Sequence, residues 1–277
     1  MEFVGIDSIF PEWDAWTEFV QSVYGLAQAL DAMKSSHPVE VEVKHSEEID
    51  EIFDVISYAK GASLIRMISS YIGFQVFLDG MKIYLKRHAY GNTVTEMLWQ
   101  ALEEASGSPV VALMTPWTSQ IGFPILLLPK SNEGRIETPR FLASGPGSDT
   151  SDGGSPPVWP IPVTALVEGS DETQGPWVIN GPSDDESGAL LDKIRSWEAD
   201  GKWFKLNVDQ TGFFRVGYRK DQWAALGKVM APDGPLPTTD RLGLISDSFA
   251  AGRAGYSSIV DSLSLVQNFG EHDVVGT

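Results

Sequence analysis

The spacing of apolar residues changes twice along the chain, and this change restricts the fold more than any other feature. In the first 115 residues, apolar side chains such as Trp13 and Trp16 recur at three- and four-residue steps, which is typical of amphipathic helices. Short apolar runs separated by Gly, Pro, Ser and Asp then indicate strands and turns, before the helical period returns. We therefore predict an α+β multidomain protein with mostly helical residues 1–115, a β-sandwich at 116–208 and a helical region at 209–277.

Capping residues predict where three of the helices begin. Ser57 can cap one helix, and the capping box Thr-Val-Thr-Glu at residues 93–96 predicts another that closes near Gly107. A third helix is predicted to begin at Thr239 or Asp240. Its buried stripe is predicted to contain Leu242, Ile245, Phe249 and Ala250.

Two further stretches have a distinctive composition. Residues 39–43 alternate valine with glutamate, which predicts a short half-exposed strand. Residues 144–157 contain only Ser, Gly, Pro, Asp and Thr, so they cannot bury apolar surface against the cost of ordering. We expect a disordered loop there, within the sandwich.

Charge and composition exclude several classes of partner. The formal net charge of −18 repels phosphate backbones and anionic lipids, so we expect neither nucleic acid nor a membrane as a partner. The chain contains no cysteine, which excludes disulfides and thiolate metal sites. No run reaches the roughly 18 apolar residues of a membrane span, and no signal peptide is recognisable, so we expect a soluble chain. Its apolar start, MEFVGIDSIF, leads us to expect missing upstream sequence.

A metal site is not predicted. The histidines, His37, His45, His88 and His272, are scattered and form no H-E-x-x-H helix. The acidic residues between 47 and 54 lack the spacing and central glycine of a calcium loop, and a solvated helix face explains them as well. For Tyr58, within DVISYAKGASLI, packing in the core is the default interpretation.

Whole phrases of the sequence, however, resemble the gluzincin zinc aminopeptidases, and most closely their puromycin-sensitive aminopeptidase branch. Seven blocks occur in the family's order and span residues 1 to about 265, with a poorly matching stretch at about 130–200. The blocks are MEFVGIDSIFPEWDAWTEFV, LDAMKSSHPVEVEV, EIDEIFDVISYAKGASLIRMI, NTVTEMLWQALEEASG, WTSQIGFPILLL, WFKLNVDQTGFFRVGY and DRLGLISDSFAAGRAG. The resemblance implies the C-terminal part of a thermolysin-like catalytic domain, then a β-sandwich, then the start of an α-helical superhelical domain.

The resemblance also implies a reaction and places its metal outside this chain. In the family, zinc-activated water attacks the first peptide bond of a substrate, and the zinc ligands lie in H-E-x-x-H and N-E-G-F-A segments that precede the phrase at Met1. Zinc is therefore expected in the full-length protein, with no ligand from this chain, which alone would be inactive. A catalytically dead peptide-binding or scaffold module is the alternative. Peptide substrates and a cytoplasmic location are implied, whereas the oligomeric state is not.

Two residues of this chain match functional positions of the family. Tyr58, in SYAKGA, matches the tyrosine that hydrogen-bonds the tetrahedral intermediate, where a preorganised hydroxyl stabilises the developing charge. Gly61 and Ala62 are expected to allow close packing that fixes its ring. Phe53 matches an aromatic residue beside the substrate's first side chains, although core packing also explains a phenylalanine there. His37, in SSHP, is expected to have a structural role.

Overall fold

The computed structural model describes residues 2–41, 54–130, 134–147, 156–182, 184–231 and 233–266. Its first part is helical, which confirms the prediction for the described residues. The helices are α1 (Glu2–Ile9), α2 (Ala15–Glu18), α3 (Gly25–Asp31), α4 (Gly61–Ile72), α5 (Phe74–Arg87), α6 (Thr95–Ser106) and α7 (Val110–Ser119). The π-helical turn Phe19–Tyr24 joins α2 to α3, and a second one, Ile56–Lys60, leads directly into α4.

The rest of the described chain combines two small sheets with further helices. Strand β1 (Ile125–Leu127) pairs in parallel with β5 (Arg215–Gly217). In the second sheet, β2 (Ile161–Val167) lies between β3 (Gln174–Ile179) and β4 (Phe204–Leu206), antiparallel to both. The remaining helices are α8 (Asp185–Ala199), α9 (Lys220–Gly227), α10 (Thr238–Arg253) and α11 (Ile259–Val266). The chain is thus mixed helix and sheet, as predicted, and β1 pairs with a strand more than eighty residues later in the sequence.

Two local features differ from the sequence predictions. Residues 39–41 form bends and coil instead of a strand, and residues 42–43 lie outside the described residues. Helix α8, which the strand-and-turn interpretation overlooked, interrupts the strands between β3 and β4. The Asp184 carboxylate caps it by accepting a hydrogen bond from the Ser187 amide at 2.6 Å. Its buried Leu190, Leu191 and Ile194 recur at helical spacing and pack in the core.

Glycine residues shape the helical part. Gly73, with φ of 89°, ends α4, and the helical stretch Ile56–Ile72 meets α5 at an angle of 115°. Gly107, with φ of 67°, ends α6 as predicted. The start of α6 differs from the predicted capping box, because Val94 occupies the N-cap position and no side chain caps the helix. Of the described helices, none is by itself long and apolar enough to cross a membrane, although the bent pair at Gly73 passes that test when both helices are taken together.

Helix α10 buries a different face from the predicted one. The side chains of Leu242, Ile245, Phe249 and Ala250 are only partly buried. The buried face instead contains Thr239, Asp240, Gly243, Leu244, Asp247, Ser248 and Ala251. Asp240 pairs with Lys205 of β4 at 2.5 Å, and Asp247 pairs with Arg215 of β5 at 2.9 Å. Because buried charges require partners, these two pairs turn the polar face of α10 toward the sheets.

Some sequence predictions lie outside the described residues. They concern Phe53, His45, His272, the acidic residues 47–51 and residues 148–155 of the predicted loop. The described ends of that loop, residues 144–147 and 156–157, form turns, bends and coil.

Candidate active site around Tyr58

Tyr58 lies on the outer side of the π-helical turn Ile56–Lys60, with 63% of its surface exposed. The default interpretation as a core tyrosine is therefore wrong, because a packed ring would be shielded from solvent. The close packing expected at Gly61 is also absent, since a Cβ atom there would meet no described atom beyond its own helix within 4 Å. Ala62, the next residue, is exposed.

The start of this turn is capped by Asp54. Its Oδ1 atom accepts a hydrogen bond from the Ser57 amide at 2.8 Å, so Asp54, and not Ser57 as predicted, is the capping residue. Its Oδ2 atom lies 2.5 Å from Nε2 of His37, whose Nδ1 contacts the carbonyl oxygen of Pro38 at 2.8 Å. The histidine thereby joins the SSHP segment to the helix that carries Tyr58, which agrees with its expected structural role.

Contact between His37 and Asp54 shifts both of their pKa values. Burial would lower the pKa of His37, but the hydrogen bonds to Asp54 and Pro38 and the negative charge of Asp54 outweigh it and raise the pKa above 6.5. Burial would raise the pKa of Asp54, but hydrogen bonds from Ser57 and His37 outweigh it and lower the pKa. The two groups form an ion pair whenever the imidazole is protonated.

The end of the turn is fixed by Lys60, whose side chain is fully buried. Its Nζ atom forms an ion pair with Oδ2 of Asp31 at 2.9 Å and donates to the carbonyl oxygens of Gly122 at 2.9 Å and Gln120 at 3.4 Å. Burial lowers the pKa of Lys60, while the carboxylate of Asp31 acts in the opposite direction. Asp31 also accepts hydrogen bonds from Ser36 and the Gly122 amide through Oδ1.

Two turns further along α4, Arg66 contacts the turn that follows β4. Its guanidinium donates to the carbonyl oxygens of Asp209 at 2.9 Å and Gln210 at 3.1 Å. It also lies over the ring of Trp16, 4.8 Å from the centroid. Asn207, Asp209 and Gln210 all have positive φ, between 52° and 61°, which is uncommon for residues other than glycine. Arg66 therefore holds a turn of unusual backbone conformation against the helix of Tyr58.

A cavity of about 860 Å³ lies beside this helix. Its lining includes Ala62, Ile65 and Arg66 from α4 and aromatic rings from the N-terminal segment. Tyr58 does not line this cavity, but it lies about one helical turn before Ala62. The exposed phenol ring and the cavity therefore lie along the same helical stretch, formed by the π-helical turn and α4.

Comparison with known proteins identifies the context of this arrangement. Residues 1–117, which include Tyr58, match the Peptidase family M1 domain, and residues 203–276 match the ERAP1-like C-terminal domain. The chain belongs to the M1 peptidase family. The predicted resemblance to zinc aminopeptidases is therefore confirmed at the level of the family.

Relatives of this M1-family chain are aminopeptidases by name. Aminopeptidase M1 of Arabidopsis thaliana is 43% identical over 279 residues and matches 96% of the chain. The alanine/arginine aminopeptidase of Saccharomyces cerevisiae is 35% identical and the puromycin-sensitive aminopeptidase of Caenorhabditis elegans is 37% identical, each over 99% of the chain. The chain spans about 30% of the length of these relatives, namely 30%, 30% and 28% respectively.

M1 peptidases are in general zinc-dependent, and in a chain without cysteine the zinc ligands would be His, Asp or Glu side chains. Within the ranges that the structure describes, no three His, Asp or Glu residues converge as a metal site would require. His37, on the SSHP segment, is engaged at both ring nitrogens by Asp54 and Pro38. The described part of this M1-family chain does not fit a zinc ion.

Sequence reasoning singled out Tyr58 but missed the groups that fix its helix. Lys60 and Arg66 are the charged residues in the run ISYAKGASLIRMI, which otherwise consists of apolar and small uncharged residues and one tyrosine. A charged residue in such a run is rarely buried without a partner, and this could have marked both residues as anchors of the helix. Asp31 gave no comparable signal, because its partner lies 29 residues later in the sequence. Phe53 lies outside the described residues, so its place beside the substrate stays a prediction.

Proposed function

We propose that this chain forms part of an M1 aminopeptidase that removes N-terminal residues from peptides, and that Tyr58 stabilises the transition state. In this proposal residues 1–115 belong to a thermolysin-like catalytic domain, 116–208 to a β-sandwich domain and 209–277 to a helical superhelical domain. The matches to the Peptidase family M1 domain at the start and to the ERAP1-like C-terminal domain at the end support this order. Peptide substrates and a cytoplasmic location are part of the same proposal.

The observation that carries the proposal is the exposure of the Tyr58 hydroxyl-bearing ring on a turn that is fixed on both sides. When a peptide carbonyl is attacked, negative charge gathers on its oxygen, and a hydroxyl already in position stabilises that charge without reorganising. An exposed phenol can reach a peptide, whereas a buried one could not. No three His, Asp or Glu side chains converge among the described residues, so activation of the attacking water is not assigned to them.

A chimera tests this proposal. The chain replaces the matching segment of the Arabidopsis relative, and hydrolysis of an aminoacyl-naphthylamide is measured with Tyr58→Phe and with Tyr90→Phe. Both changes remove one hydroxyl from an exposed ring, so Tyr90→Phe is the matched control. We expect kcat to fall about 10²–10³-fold for Tyr58→Phe with little change in KM, and less than about twofold for Tyr90→Phe.

Two results would contradict the proposal. An unchanged kcat in the Tyr58→Phe chimera would show that this tyrosine has no role in the reaction. A folded chimera that binds peptides without cleaving them would favour the non-catalytic scaffold. The isolated chain, assayed with and without added zinc, is expected to show no hydrolysis.

A further inference from the structure

The ammonium group of Lys60 is buried among three oxygen atoms. It donates hydrogen bonds to the carbonyls of Gly122 and Gln120, and it forms an ion pair with Oδ2 of Asp31 at 2.9 Å. These oxygens come from the end of α3 and from the segment after α7, so one side chain joins three parts of the chain. The ring of Phe213, 5.9 Å away, closes another side of the site.

Stability alone does not explain this arrangement. Removing two charges from water is costly, and well-packed apolar residues in place of a buried ion pair often leave a protein equally stable. What the buried lysine adds is direction, because its hydrogen bonds to the carbonyls of Gly122 and Gln120 form only when the backbone carrying Lys60 lies in one place. The backbone in question is the five-residue π-helical turn that also carries Tyr58.

Tyr58 and Lys60 point to opposite sides of this turn. Residues two apart in a helix project in nearly opposite directions, and accordingly the lysine is fully buried while the tyrosine is 63% exposed. The hydrogen bond from Ser57 to Asp54 fixes the beginning of the turn, and Lys60 fixes its end. π-helical turns are rare overall but occur frequently at functional sites, which supports a functional reason for anchoring the turn that carries Tyr58.

We propose that Lys60, through its ion pair with Asp31, is a positioning residue that holds the Tyr58 hydroxyl in place for the reaction. This inference rests on the proposed function of Tyr58. Lys60 itself touches no substrate, because its Nζ atom is enclosed by protein.

The first test uses the full chain and requires no activity. A 3-fluorotyrosine is introduced at position 58, and its ¹⁹F NMR signal is compared between Lys60→Met and Lys205→Met. Lys205 is the matched control, since it is also buried and paired with a buried carboxylate, that of Asp240. We expect Lys60→Met to shift or broaden the signal and Lys205→Met to leave it unchanged, although both lower the unfolding midpoint. An unchanged signal in Lys60→Met would overturn the inference.

A second variant separates positioning from stability and covers the case in which Lys60→Met does not fold. In Asp31→Leu/Lys60→Met both charges are replaced by apolar side chains, which is expected to recover most of the lost stability. If Lys60 positions Tyr58, the ¹⁹F signal and the kcat of the chimera stay altered in this variant. Recovery of both would show a purely structural role and would overturn the inference.

A double-mutant cycle in the chimera gives the third readout. We expect Lys60→Met alone to lower kcat about 10–100-fold at unchanged KM. In the Tyr58→Phe background, the same change should lower kcat further by less than about threefold. If the decreases in kcat of the two single variants multiply in the double variant, the positioning role of Lys60 is overturned, while the proposed role of Tyr58 is unaffected. Full activity of Tyr58→Phe alone would instead contradict the proposed function, so the two failures are distinguishable.

Discussion

The guanidinium of Arg66 donates a hydrogen bond of 2.9 Å to the carbonyl oxygen of Asp209, a residue 143 positions later in the sequence. A second bond, to the carbonyl of Gln210, makes this a two-pronged contact between the helix of Tyr58 and the turn after β4. Burial lowers the pKa of Arg66 to about 10, and the negative charge of Asp209 acts against that shift. The contact joins the part of the chain that matches the peptidase domain to the part that matches the C-terminal domain.

Arg66→Lys should destabilise the chain although it keeps the charge. An ammonium group on a flexible stem cannot reproduce the planar fork that reaches two adjacent carbonyls. We expect a loss of about 1–2 kcal/mol in the free energy of unfolding, measured in urea. The matched control is Arg87→Lys, because Arg87 contacts Glu104 in a half-exposed pair and should lose less than about 0.5 kcal/mol. Equal losses would show that the fork has no special role.

The contribution of His37 to stability should depend on pH. Because its pKa is raised in the folded chain, its stabilisation is fully present below the unfolded value of about 6.5 and is lost as pH rises through the folded pKa. His37→Gln should therefore lower stability more at about pH 5.5 than at about pH 8.5, by less than about 1 kcal/mol for a partly exposed pair. Urea unfolding at the two pH values measures this difference.

Removal of its partner provides the control for this prediction. In an Asp54→Asn background the contributions of Asp54 that raise the pKa of His37 are gone, while those of the Pro38 carbonyl and of Asp31 remain. The effect of His37→Gln should then differ less between the two pH values. A difference of unchanged size would assign the effect to a group other than Asp54.

Gly80→Ala and Gly61→Ala should have opposite effects. A Cβ atom at Gly80, on α5, would lie 3.1 Å from the backbone of Leu102 and 3.3 Å from the carbonyl of Ala101, both on α6. The two helices would have to separate, at a cost of about 1–3 kcal/mol. At Gly61 there is open space, so alanine should stabilise the chain by up to about 1 kcal/mol. Thermal unfolding of the two variants measures the contrast, and a stabilising Gly80→Ala would contradict the close approach of these helices.

Asp247→Leu should be strongly destabilising because it leaves Arg215 buried without its carboxylate. Asp247 accepts from the guanidinium at 2.9 Å and from the Val216 amide at 3.0 Å. Burial raises its pKa, and the charge of Arg215 lowers it in turn. We expect a loss of about 3–5 kcal/mol in the free energy of unfolding.

Two comparisons test whether the unpaired charge causes that loss. Arg215→Met/Asp247→Leu removes both charges and should recover most of the stability. Asp192→Asn removes a carboxylate from an exposed pair with Arg195 and should leave the unfolding midpoint unchanged. Failure of the double variant to recover would point instead to the lost hydrogen bond at Val216.

The sequence predicted elements well wherever one local rule was sufficient. The spacing of apolar residues predicted that the chain before residue 115 is mostly helical, and Gly107 ended α6 as predicted because glycine readily adopts positive φ. It misjudged elements whose position depends on distant partners. On α10 the apolar stripe was expected to be buried, but ion pairs with Lys205 and Arg215 turn the Asp240 and Asp247 face inward.

In the candidate site too, some features were predicted from the local sequence and others depend on distant partners. The phrase SYAKGA alone identified Tyr58, and the role of this tyrosine in the reaction stays a prediction. Its exposure could not be derived, because a tyrosine in an apolar helical run buries its ring by default. Its actual orientation depends on Lys60 being drawn to the opposite side by Asp31 and by carbonyls of the 120–122 segment.

The sequence by itself determined the family, the alternation of helical and strand regions, and the residue to be tested as a transition-state stabiliser. Only the tertiary structure decided which faces are buried and how the helix of Tyr58 is held. The physical reason is that apolar periodicity and capping act over a few residues, whereas a buried charge must find its partner wherever the fold brings one. Lys60 with Asp31, Arg66 with Asp209 and Asp240 with Lys205 are such partners, and each joins segments far apart in the chain.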